Sequence, residues 1–285
     1  MTNIDQFDSV FRAASRSPFE HRLVTIGTVL VVTDLDADRT AALVIGVRQF
    51  LSVIDGGDAS WPAVIGDEFG DLRALLDLIE QHQPDLIVTY RHLHSEGWNW
   101  PYSLGEYLDV MTQATTTPVI VLPHPGRDGS LPGKLRGTDT VMAITDHLTG
   151  DHRLVNYALS LTRGNGTCWL SHVESAVQFE RYMEVISKIP NIDTDQARQS
   201  IAAQLLKEPA DYIQSCRGAA DGETVRIKVE EITIMGRRLE EYRRLIEAHN
   251  VDLLILNTKD EDQLAMHGLA YPLAVELRDI AILML

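Results

Sequence analysis

The chain has 285 residues, 45% of them apolar and 23% charged, a composition that fits a soluble globular protein and excludes long disorder. It carries 41 acids against 25 bases, a formal charge of −16, so the expected partners include neither nucleic acid nor an anionic membrane surface. At roughly 100–200 residues per domain, the length predicts two domains.

The first residues, MTNIDQFDSVFRAASRSPFEHR, lack the basic stretch and apolar region of a secretory signal. The longest apolar runs, near 29–32 and 280–285, are far shorter than the roughly 20 residues of a membrane span. The two cysteines, Cys168 and Cys216, make no disulfide framework and fit a reducing compartment, so a cytoplasmic protein is expected.

Apolar runs and helical spacing predict the elements in chain order. A strand at 28–34 precedes helices over 39–54 and 69–82, with only the weak WPAVIG (61–66) between them. A strand at 85–90, a helix over 103–114 and a strand at 118–122 follow. The Gly- and Pro-rich PGRDGSLPGKLRG (125–137) reads as a linker between units 1–127 and 138–285. Beyond it come a strand at 140–145, a helix over 151–161 and a strand at 167–173. Residues 175–218 read as helix broken at Pro190 and Pro209, where a helix interior loses a hydrogen bond, with Asp193 or Thr194 capping the restart. In that insert Val177, Tyr182, Val185 and Ile186 fall at helical spacing and read as core. A strand at 224–229, a helix over 236–249, a strand at 251–256, a helix over 264–277 and a strand at 280–285 complete the chain. Glu240 and Arg244 stand at i,i+4 spacing for an ion pair.

Strands alternating with helices predict α/β architecture: two tandem doubly wound, mostly parallel sheets of Rossmann or flavodoxin type, the first abbreviated. An internal repeat supports the duplication. TVLVVTD (28–34) echoes TVMAITD (140–146), and PDLIVTY (84–90) echoes VDLLILN (251–257). The stretches from Gly105 to Leu122 and from Gly268 to Leu285 match in length. Between Asp146 and Gly268 the second copy is about fifty residues longer than the first is between Asp34 and Gly105, room for an extra strand and helical segment. Antiparallel pairing of 118–122 with 280–285 would cover both closing strands.

These features resemble the universal stress protein family, in a tandem two-domain arrangement. The resemblance rests on the opening strands that end in Asp34 and Asp146, the D-L-[IL] strands at Asp85 and Asp252, the glycines Gly105 and Gly268, and the closing apolar strands. Nucleotide-binding members carry G-x2-G-x9-G-[ST], whose backbone N–H groups and following helix N-terminus surround phosphates. Neither copy has it. The second reads NTKDEDQLAMHGLAY (257–271), which keeps Gly268 but places Asp260, Glu261 and Asp262 beside Lys259. The first has Gly97 and Gly105 at the wrong spacing and bulky Trp98, Trp100 and Tyr102 in place of small residues. The resemblance therefore implies a stress-response or regulatory interaction module, self-associating as a dimer or binding protein partners, with no ATP cofactor. The alternative is a sensor that binds an adenine nucleotide, ATP or AMP, in the second unit through Thr145, Asp146, His172, Asn257, Lys259 and Gly268.

Ligands of open α/β sheets sit at the carboxyl ends of strands, where these residues fall. His147, His172 and His267, with His152 nearby, raise a metal-binding alternative, but no zinc-type spacing supports it and the plain reading is solvated or core histidines. In the first unit Tyr90, Arg91, His92, His94, Glu96 and Trp98 cluster after the strand at 85–90. Arg91 is either a clamp for a carboxylate or phosphate or, more plainly, the partner of a local acid, with the aromatics plugging a cleft. Catalysis has little support. No G-x-S-x-G, Walker A or G-x-G-x-x-G sequence occurs, Cys168 lies in an apolar strand, and Cys216 has no evident His partner.

Overall fold

The computed structural model describes residues 19–54, 58–95, 102–145, 148–220, 227–258 and 270–285. The first half contains β1 (Val29–Val32), α1 (Ala37–Phe50), β2 (Ala63–Val64), α2 (Leu72–His82), β3 (Leu86–Tyr90), α3 (Glu106–Ala114) and β4 (Val119–Leu122). The second contains β5 (Thr140–Ile144), α4 (His152–Leu161), β6 (Thr167–Ser175), α5 (Ala176–Ile186), α6 (Thr194–Ala220), β7 (Lys228–Gly236), α7 (Arg238–Ala248), β8 (Leu253–Leu256), α8 (Ala270–Glu276) and β9 (Ala281–Met284). Helices start where a side chain receives a free N–H. Asp36 accepts from Arg39, Asp71 from Ala74 and Ser175 from Gln178. At the restart of α6, Asp193 does this rather than Thr194, accepting from Gln196 at 3.0 Å.

The described strands form one sheet in the order β2-β1-β3-β4-β9-β8-β5-β6-β7. Neighbours within each half run parallel, so the fold is the expected α/β, mostly parallel class. The halves meet at the antiparallel seam β4–β9, with Val119 opposite Met284 and Val121 opposite Ile282. This is the pairing expected of the closing strands. The residues of β1, β3, β4, β8 and β9 are all buried, because helices cover both faces of the parallel strands.

The two D-L-[IL] segments make like contacts at the amino ends of the strands. The Asp85 carboxylate accepts from Gly27 N and Thr28 N at 2.8 and 2.9 Å. Asp252 accepts from Thr140 N at 2.8 Å. Each aspartate also donates its own N–H to the facing threonine carbonyl. Each D-L-[IL] segment is thus a clamp that sets the start of the first strand of its half.

Several expectations need correction. α6 runs through Pro209 without a break; Pro209 is itself buried, and Tyr212, Ile213 and Cys216 on the same helix are buried too, so packing outweighs the lost hydrogen bond. The strand foreseen at 224–229 is β7, which continues to Gly236 because it pairs along the whole of β6, from Thr167 opposite Lys228 to Ser175 opposite Gly236; residues 224–226 lie outside the described residues. Glu230 and Glu231 hid this strand from an apolar-run reading, yet β7 is an edge strand, where charges are tolerated. Arg244 pairs with Glu241 at 2.7 Å, and Glu240 with Arg237 at 3.2 Å, so the i,i+4 pair is replaced by two i,i+3 pairs. In α5 the buried side chains are Phe179 and Met183, whereas Val177, Tyr182 and Val185 are exposed. The helical period was right and the inward face was wrong. The segment expected as a linker packs on the body, with Leu135 buried and Leu131 against Gly46 of α1. Of the helix expected over 264–277, only the part from Ala270 is described.

Candidate functional site

In the second half β5 leads to β6 on one side and lies against β8 on the other, a change of winding direction that opens a crevice at the carboxyl edge. Ile144 is in register with both Leu256 and Ser171. One step further along, Asn257, Thr145 and His172 form a row across three strands.

Each member of this row is held by a residue the motif reading did not nominate. Asn257 Nδ2 donates to Asp151 Oδ2 at 2.5 Å, while Asp151 Oδ1 caps α4 by accepting from Leu154 N at 3.0 Å. Burial holds the Asp151 carboxyl above the ordinary aspartate value, against the opposing hydrogen bonds of Leu154 and Asn257. The Tyr242 hydroxyl of α7 donates to the Thr145 carbonyl at 3.4 Å and accepts from Val173 N at 3.1 Å. His172 is 6% exposed, with Nε2 at 3.3 Å from Glu174 Oε2 and Nδ1 buried without a partner. Burial acts to raise the Glu174 carboxyl, but His172, Arg238 and the Ser175 N–H outweigh it and hold Glu174 below its usual range. The only sequence signal for Asp151 was its place before a helix, which marks a cap, and caps of βα units lie at this same edge.

Among the described residues, the row supplies hydrogen-bond donors and acceptors. The buried thiols of Cys168 and Cys216 are both pushed up to about 12 by desolvation, which makes them poor nucleophiles. His152 does not join the row; its Nδ1 lies 3.1 Å from the Tyr212 hydroxyl and receives the Glu20 N–H at 3.4 Å. Among the described residues no group of three His, Cys, Asp or Glu side chains is arranged to hold a metal ion. Asp146, His147, Lys259, Asp260, Glu261, Asp262, His267 and Gly268 lie outside the described residues.

At the corresponding edge of the first half, Tyr90 is fully buried. Its hydroxyl is bonded to the Asp34 carboxylate and lies 2.8 Å from Thr33 Oγ1. Burial, with Asp34 next to it, pushes the phenol far above its ordinary value. Asp34 Oδ2 also accepts from His94 N at 2.9 Å, and the His94 ring lies 4.7 Å from that of Phe69. The edge is therefore filled by aromatic rings and a spent carboxylate. Arg91 follows neither expectation. It is 6% exposed and donates through Nη2 to the Ala274 and Leu277 carbonyls of the α8 C-terminus, across the seam. A cation at a helix C-terminus is favourable, which explains this partner where no local acid serves. Gly105 has φ +93, and a Cβ there would lie 2.9 Å from the His92 backbone, so this glycine serves loop closure onto His92. Glu96, Gly97, Trp98 and Trp100 lie outside the described residues.

The sequence matches no family model and no curated protein. Among solved structures the chain is similar to a candidate universal stress protein from Pseudomonas aeruginosa UCBPP-PA14, at 12% identity over 91% of this chain and 93% of that one, with a TM-score of 0.49. It is similar to a protein of unknown function from Pseudomonas aeruginosa PAO1, at 12% identity over 91% and 92%, TM-score 0.48. A universal stress protein from Archaeoglobus fulgidus DSM 4304 is similar at 11% identity over 90% and 95%, TM-score 0.45.

Proposed function

We propose that the chain is a stress-response protein of the universal stress type, a regulatory interaction module of two units, 1–127 and 138–285, that works in the cytoplasm without ATP. One observation carries the reading. Where a ligand would enter the carboxyl edge of the first half, the Tyr90 ring stands instead, bonded to Asp34 and Thr33. The second half lends support, since its Asn257 is already engaged by Asp151. A protein whose first cleft is filled and whose second has its amide already engaged acts through its surface, by self-association or by contact with other proteins. Calorimetric titration of the full chain with ATP and Mg²⁺ is expected to give no binding heat. Micromolar binding overturns the reading.

A second reading, an adenine-nucleotide sensor in the second half, is favoured by the partnerless His172 Nδ1 in the same row as Thr145 and Asn257. In that reading nucleotide purifies with the protein, detectable by mass spectrometry, and Asn257→Ala abolishes it.

A further inference from the structure

β7 is the last strand of the described sheet and pairs with β6 alone, so its other side is open among the described residues. It has nine residues, where about five or six are usual, and an open edge of that length is a template for another strand. Lys228 N donates to the Gly166 carbonyl, so the even-numbered residues of β7 face β6 and the odd-numbered ones turn their N–H and C=O groups outward. The two ends of this edge differ. At the amino end Arg217 of α6 donates through Nε to the outward Val229 carbonyl at 3.0 Å, and Lys228, Glu230 and Glu231 surround it with charge. At the carboxyl end Ile232, Thr233, Ile234 and Met235 carry no charge, and no described side chain bonds the outward backbone groups of Thr233 and Met235. An apolar helix face begins at the same corner. Ser175 is in register with Gly236, and Val177, two residues further on, is 66% exposed.

The residues of the strand identify what fits this edge. Turned antiparallel on itself about Ile234, β7 sets Thr233 opposite Met235 of a second copy, and such outward-facing pairs exchange N–H···O=C bonds. The same axis sets Glu231 opposite Arg237 of the second copy, on one face of the sheet, where opposite charges attract. Each contact occurs twice, as a two-fold interface requires. Arg237 precedes α7 in extended conformation and is 71% exposed, its partner in its own chain being the exposed Glu240 at 3.2 Å. Glu231 is held in its own chain only by Gln214 at 3.2 Å and Thr233 at 3.5 Å. An axis moved to Thr233 or Ile232 sets Glu231 against Met235 or Thr233 instead and loses the charge match, so the charges select the register.

We propose that two copies of the chain associate edge to edge through β7, antiparallel about Ile234, with Glu231 and Arg237 as reciprocal ion pairs and one sheet continuing across both molecules. The inference gives a surface to the self-association proposed above and rests on that reading. Titration with ATP tests the reading, whereas sedimentation of the full chain tests the surface. The unaltered chain is expected to sediment as a dimer at micromolar concentration. Glu231→Arg alone and Arg237→Glu alone should each weaken the dimer about tenfold or more, because like charges then face each other, and the chain carrying both changes should recover to within about threefold. That recovery separates a lost contact from a misfolded variant. A chain that stays monomeric overturns the proposal. So does a dimer that neither reversal weakens, which places the interface elsewhere, and so does a double variant that fails to recover. A monomer whose Thr233 and Met235 amides exchange slowly at every concentration also overturns it, since the edge is then covered by its own chain. A dimer that follows the charge pattern and also binds ATP supports the interface and overturns the reading of the function.

Discussion

The two halves carry the same clamp and different strand ends. Asp85 and Asp252 hold the first strand of each half in the same way, so the backbone frame is shared. At the carboxyl end of the paired strand, Tyr90 occupies the position that Asn257 takes in the other half. The phenol ring fills the edge and ties up Asp34, whereas the shorter amide reaches sideways to Asp151 and leaves a polar row. One residue at a strand end thus decides between a plugged crevice and a polar one, with no change in fold.

Four substitutions break or sharpen this comparison. The largest effect is expected from Tyr90→Ala, which removes a fully buried ring and strands Thr33 and Asp34 at the edge. Urea denaturation should show a loss of about 3–5 kcal/mol, the range for emptying an aromatic core site. Asn257→Ala, its counterpart, should lose only about 1 kcal/mol, the scale of one hydrogen bond. Comparable losses in the two halves would mean that the second crevice is packed as tightly as the first.

Arg91→Met comes next. It removes the donor to the Ala274 and Leu277 carbonyls but keeps the apolar stem, so a loss of about 2 kcal/mol is expected. Hydrogen exchange should rise over α8 more than over α3, because the lost bonds belong to the second half. Uniform exchange across both helices would show that Arg91 is not a local tie.

The smallest effect concerns the clamps. Burial raises the Asp252 carboxyl above its ordinary value, helped by the neighbouring Asp139 charge and opposed by the Thr140 N–H. A raised carboxyl contributes stability that is complete below the unfolded pKa and is lost as pH rises through the folded one. Asp252→Asn mimics the protonated form and should flatten the fall in urea midpoint as pH rises above the ordinary aspartate value. An unchanged pH profile would show that burial does not govern this clamp.

Much of the frame was legible. The apolar runs located most of the strands, the T-V-x-x-[VI]-T-D echo located β1 and β5, and the extra length of the second half foretold β7 and the hairpin beside it. The partners were not legible. Tyr90 and Asp34 are 56 residues apart, and Arg91 reaches Leu277 across 186. No local spacing encodes such contacts. Helical spacing placed α5 but did not distinguish the face with Phe179 and Met183 from the one with Val177 and Tyr182, since both are apolar. Pro209 read as a break because local propensity ignores the packing of Tyr212, Ile213 and Cys216.

The amino-acid sequence alone determined which segments become strands and helices and that the pattern occurs twice, because hydrophobic period and turn composition act over a few residues. Tertiary structure alone decided that Tyr90 closes one crevice, that Arg91 crosses the seam to cap α8, and that α5 turns an apolar face outward. Those outcomes depend on which side chains meet across the sheet once both halves have closed on it, where burial and hydrogen-bond satisfaction outweigh local preference.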